Sequence, residues 1–218
     1  MVTSVQFQSS YNVTYVGFTD QEMEDVDAAY GKALEYLRTV RHRLASANVE
    51  AGSVSADMAL ALKHHFNLDV SVPKRDVGRY FQSKVLERIS SVYQKIESDL
   101  SSGMTYHKGS ASNSGETPRM NPKFIVIDPP FFMRSGAKNK ARDLIHEQAH
   151  FASRAPGNFN TITDHGWWWQ LDYYEINPRA YKNLTTEQAL TNADCYAWFA
   201  WELVEPGSFF WDVKGDTD

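Results

Sequence analysis

Cysteine is nearly absent: Cys195 is the only one in 218 residues, so no disulfide can form within the chain. That excludes the small disulfide-stapled scaffolds of oxidising compartments. It suits a protein stable in a reducing compartment, or one exported without needing oxidation. Long apolar runs are also missing. A stretch such as Tyr196 to Trp201 is far too short to span a bilayer. From Met1 to Phe18 no basic segment precedes a long apolar one, so no secretory signal is visible. The expectation is a soluble protein, exported, if at all, by a leaderless route. Charge of one sign is lacking too, since 22 basic residues against 27 acidic ones leave a net charge of −5. That balance creates no general field for nucleic acid or anionic lipid, so neither is expected as a partner.

What remains is ordinary globular composition, 42% hydrophobic and 22% charged, in a chain long enough to bury a sizeable core. Val5, Phe7, Tyr11, Val13 and Tyr15 fall on odd positions and read as one or two short strands. Thr19 followed by Glu22 has the form of a capping box. Beyond it Met23, Val26, Tyr30, Ala33, Leu37, Val40 and Leu44 recur at helical spacing. A shorter helix is expected over Ser55 to Phe66. A third opens near Pro73, with Val77, Phe81, Val85, Ile89, Val92, Ile96 and Leu100 as its apolar stripe, and stops at Gly103. Residues 1–107 thus form a mainly helical portion of the domain. Residues 108–122, rich in Ser, Gly, Asn and Pro, read as a loop or linker. Residues 123–218 carry the chemistry: a strand at Phe124 to Ile127, a helix from about Lys138 to Ser153, and a last helix from Thr185 to about Val204.

His146-Glu147-Gln148-Ala149-His150 has the form H-E-x-x-H. Residues four apart lie one turn apart on the same helix face, so both imidazoles reach one ion. Zinc accepts two neutral imidazole nitrogens together with a third protein ligand and a water. Glu147, beside the first imidazole, is placed to take a proton from that water. No His follows at the metzincin spacing, which leaves Asp164, His165, Glu175, Glu187, Asp194 and Glu202 as candidates for the third ligand.

The segment from Ile127 to His150, then Asp164, then Asn192-Ala193-Asp194 with Tyr196 and Phe199 resembles the aspzincin metallopeptidases, the deuterolysins and peptidyl-Lys metalloendopeptidases. Phe131-Phe132 is similar to an aromatic pair that the family carries between strand and active-site helix. The resemblance spans Phe124 to Leu203. It implies a predominantly helical α+β, zincin-like fold with a small sheet and an active-site helix. It also implies one Zn²⁺ ion held by His146, His150 and Asp164, with Glu147 as catalytic base and a protein or peptide as substrate.

The chain departs from the family at three points. Thr161-Ile162 stands where the family has Gly-Thr. Trp167 replaces a Tyr that the family uses to polarise the scissile carbonyl; its indole N–H can donate but has no phenolic oxygen. Tyr173, Tyr174 or His165 are the candidates to substitute. Asp194 matches an acid that lines the substrate pocket in lysine-preferring members, but their second acid is Ala197 here, so a lysine preference is not implied. The other reading of Asp194 is a carboxylate that supports a ligand or caps a helix. Trp167, Trp168 and Trp169 cannot all face a core, and at least one is expected to cover the metal site or line a cleft. His42, His64, His65 and His107 read as surface or hydrogen-bonded histidines, and Cys195 as a small buried hydrophobe. The expected activity is zinc-dependent peptide-bond hydrolysis. The alternatives are a zinc hydrolase of non-protein amides, or a weakly catalytic, metal-stabilised binding or toxin domain.

Overall fold

The computed structural model describes residues 9–49, 52–70, 76–109, 115–116, 124–129, 136–153, 162–163 and 183–205. Pro73, Phe131-Phe132, Asp164 and the Trp167 to Trp169 run lie outside them.

Helix α1 (Asp20–Ser46) begins where the sequence says it should. The Thr19 hydroxyl accepts the Glu22 N–H at 3.4 Å, and the Glu22 carboxylate accepts the Thr19 N–H at 2.8 Å. Both donors would otherwise be orphaned at the helix start. The apolar stripe from Val26 through Leu37 to Leu44 is buried against three helices: α3 (Asp76–Ser102), α4 (Ala137–Ser153) and α6 (Ala193–Val204). Helix α2 (Ala56–Phe66) lies on α6 and ends at Asn67, whose φ of +48° closes the last turn. Phe66, Tyr93, Tyr196 and Phe199 form a buried aromatic cluster with ring centroids 5.1 to 5.9 Å apart. Each such pair adds about 0.5–1.5 kcal/mol beyond its area burial. This cluster fastens α2, α3 and α6 into one core.

The sheet has the order β1–β2–β4–β3, formed by β1 (Val13–Val16), β2 (Met104–Lys108), β3 (Gly115–Glu116) and β4 (Ile125–Ile127). β1, β2 and β4 run parallel, with Tyr15 opposite Tyr106 and Tyr106 opposite Ile125; β3 runs antiparallel along β4. Parallel neighbours need a long crossover, and α1 to α3 supply it between β1 and β2. Gly103, at φ +112°, makes the turn from α3 into β2. A Cβ there would lie 2.5 to 2.9 Å from Asn12, so a side chain is barred by both φ and space. The buried Tyr106 hydroxyl accepts a hydrogen bond from Gln148 Nε2 at 3.4 Å, which sets the sheet against α4.

The architecture is therefore mainly helical α+β with a small, mostly parallel sheet. Two expectations are corrected in detail. The last helix is broken, into α5 (Thr186–Ala189) and α6, because Asn192 leaves helical geometry and pairs with Thr163 in a parallel bridge. Strand pairing also enters the stretch read as loop, where Gly115 and Glu116 lie opposite Ile127 and Val126. Two residues are too few to show periodicity, which is why the sequence hides them.

Candidate metal centre

Helix α4 buries Ala141, Leu144, Ile145, Ala149 and Ala152 against the core. His146 and His150 share another face, one turn apart. Their rings meet at 4.8 Å between centroids, nearly perpendicular at 81°, and the two Nε2 atoms stand 3.1 Å apart. Glu147 is only 8% exposed, and its Oε1 lies 4.0 Å from His146 Nε2.

The opposite ring nitrogens decide what those Nε2 atoms are. His150 Nδ1 is 3.0 Å from the Ile162 carbonyl oxygen, which can only accept. That nitrogen therefore carries the proton, and in the neutral ring Nε2 carries a lone pair. His146 Nδ1 is 2.8 Å from Asp194 Oδ1 and donates to the carboxylate in the same way. Two lone pairs now face each other across 3.1 Å, an arrangement reconciled by a proton or a metal ion between them. Two imidazole nitrogens bound tetrahedrally to one zinc would lie about 3.3 Å apart. The pair fits the ion.

Both supporting acceptors come from one junction. The Asn192 side chain accepts the Asp194 N–H at 3.2 Å and caps α6, which places the carboxylate in the first turn of that helix. Thr163 N–H donates to Thr191 O at 2.8 Å, and Ala193 N–H donates to Thr163 O at 3.2 Å, so Ile162 and Asp194 are tied to the same backbone. Ser153 Oγ donates to His150 O at 2.9 Å and secures the last turn of α4.

The structure thus brings His146, Glu147, His150 and Asp194 together. Asp164 and Trp167, expected as third ligand and substrate contact, lie outside the described residues. Among the described residues no set of three His, Cys, Asp or Glu side chains is arranged to hold a metal ion. Of the other candidate ligands, Glu187 is exposed on α5, and Glu202 is engaged elsewhere. Glu202 accepts from His64 Nδ1 at 2.9 Å and from His65 Nε2 at 2.6 Å, joining α2 to α6. Burial alone would raise its carboxyl, but the hydrogen bonds and charge of the two histidines outweigh this and hold it down at about 2. The fully buried His65 ring is shifted below its ordinary value, chiefly by desolvation. His107 stacks on Phe124 at 4.1 Å, and Cys195 is buried.

Two contributors escaped the sequence reading. The Ile162 carbonyl is a backbone group and leaves no residue signature. The pairing of His64 and His65 with Glu202 spans 137 residues or more, beyond any local pattern.

The solved structure of a zinc peptidase from Grifola frondosa shares this fold, with a TM-score of 0.57 at 16% identity, over 86% of this chain and 99% of that chain. No protein-family model and no curated protein matches the sequence. The likeness is one of fold. No described helix is long and apolar enough to cross a membrane.

Proposed function

We propose that the chain is a zinc-dependent metalloendopeptidase of the aspzincin, zincin-like type, acting on protein or peptide substrates. The observation that carries this reading is the convergence of His146 Nε2 and His150 Nε2, each ring held by its other nitrogen in the tautomer that a metal requires. The fold shared with a zinc peptidase supports it at the level of architecture. One Zn²⁺ would be held by His146, His150 and the Asp164 carboxylate. Bound there, zinc would acidify water and polarise a peptide carbonyl.

The protein's own groups do the rest. Glu147, buried beside His146, takes the proton of the attacking water and returns it to the departing amine. Burial keeps its carboxylate close to the reacting atoms and away from bulk solvent. Asp194 fixes the His146 ring, the ligand-supporting alternative to the pocket-lining role that the resemblance implies. The Ile162 carbonyl does the same for His150. Trp167 would lie on the substrate side of the centre, three residues beyond Asp164.

Glu147→Gln tests the reading. The amide keeps the shape but loses the base. Turnover of a peptide library should be abolished, while zinc stays bound at the wild-type ratio. Near-wild-type peptidase activity in that variant would refute the mechanism.

A further inference from the structure

Beyond the metal centre, a cavity of about 200 Å³ lies between α3 and the end of α4. Arg88, Ser91, Val92 and Lys95 line one side, and their spacing of three, four and seven residues puts them on one face of α3. Ala152, Ser153, Ile162 and Leu190 close the other side. Lys95 is bonded to Asp99, one helical turn on, and Ser91 Oγ donates to Arg88 O. Arg88 is different. It is half-buried and has no ion-pair partner among the described residues. A partly desolvated guanidinium that no described carboxylate neutralises, in a cavity also lined by Val92, Ile162 and Leu190, is a ready partner for a planar, bidentate carboxylate.

The place of this cavity gives it a role. Ile162 is the residue whose carbonyl holds His150, and Ser153 follows His150 by three residues, a rise of about 4.5 Å along the helix. Ile162 therefore belongs to both places, lining the cavity and holding His150 through its carbonyl.

We propose that this cavity is a subsite for an acidic side chain of the substrate, within three residues of the bond that is cut, with Arg88 as the residue that selects it. The proposal rests on the peptidase reading for its substrate. It predicts a specificity for Glu or Asp that the metal-centre residues do not encode.

The test compares peptides that carry Glu or Gln at each of the three positions on either side of the cleaved bond. At one of them Glu should raise kcat/KM on the order of tenfold, mainly through KM. In Arg88→Gln the Glu-to-Gln ratio should collapse to about one. An unchanged ratio in that variant, or no preference at any position, would overturn the proposal. So would a variant that loses thermal stability while cleaving both peptides with the wild-type ratio, because Arg88 would then serve only to support the end of α4.

Fluorescence anisotropy with the same labelled peptides and the Glu147→Gln protein separates this idea from the one beneath it. If no peptide is cleaved by the wild type, the peptidase reading fails. Tighter binding of Glu than of Gln peptides, lost on adding Arg88→Gln, would still support the subsite, and equal binding would reject it.

Discussion

Replacing Asp194 by Ala should weaken zinc binding without unfolding the protein. The carboxylate accepts a charge-assisted hydrogen bond of 2.8 Å from His146 Nδ1, which pins the proton to that nitrogen, orients the ring and makes Nε2 a stronger donor to a cation. Removing such a partner typically costs 10–100-fold in metal affinity, or about 1.4–2.7 kcal/mol. The lower end is expected here, because His150 keeps its own acceptor on Ile162. Asp194→Asn retains a carbonyl oxygen for the same bond but loses the charge, so its affinity should fall between wild type and Ala. Helix α6 keeps its cap in both variants, since Asn192 bonds the backbone N–H of residue 194. Competition with a fluorescent zinc chelator measures the affinities, and circular dichroism checks the helix content. Zinc affinity within twofold of wild type in Asp194→Ala would refute the reasoning.

Stability should depend on pH through the α2–α6 contact. The Glu202 carboxyl is lowered to about 2 in the folded protein, so its contribution is complete above an unfolded value near 4.5 and is lost as pH falls from there towards 2. His65 is also lowered, so it binds fewer protons folded than unfolded, and its protonation favours the unfolded state below an unfolded value near 6.5. Both effects act in one direction, and urea midpoints should fall as pH drops from 7 to 4. Glu202→Gln should flatten the part of the profile below pH 4.5; an unchanged slope there would contradict the assignment. In the core, Leu37→Ala removes a fully buried side chain and should cost about 2–5 kcal/mol in urea unfolding. Zinc affinity of the remaining folded protein should be unchanged, because Leu37 supplies no group to the His146–His150 pair or its supporting acceptors.

Long-period features were the readable ones. The capping box at Thr19 fixed the start of α1, a stripe from Met23 to Leu44 gave its course, and helical spacing likewise located α2 and α4. The H-E-x-x-H spacing placed two imidazoles on one face because helix geometry is local. Asn192-Ala193-Asp194 pointed to the α4 centre through a family resemblance, yet the reason for the proximity is a non-local bridge between Thr163 and Asn192. The same bridge broke the expected last helix in two, where apolar spacing alone reads as continuous. β3, at two residues, had no pattern to read. The Glu202 clamp was hidden because His64 and His65 are adjacent on α2, and adjacent residues on a helix point about 100° apart; they meet only on a carboxylate from a distant helix. Sequence identifies groups whose partners lie within a turn or two, and tertiary packing chooses the others.

Anomalous diffraction at the zinc edge, from crystals of the zinc-loaded protein, tests the central claim most directly. One strong peak is expected about 2.0–2.1 Å from both His146 Nε2 and His150 Nε2, with an Asp164 carboxylate oxygen as third protein ligand. A peak away from these two rings, or no ordered zinc with the rings still in hydrogen-bond contact, would contradict it.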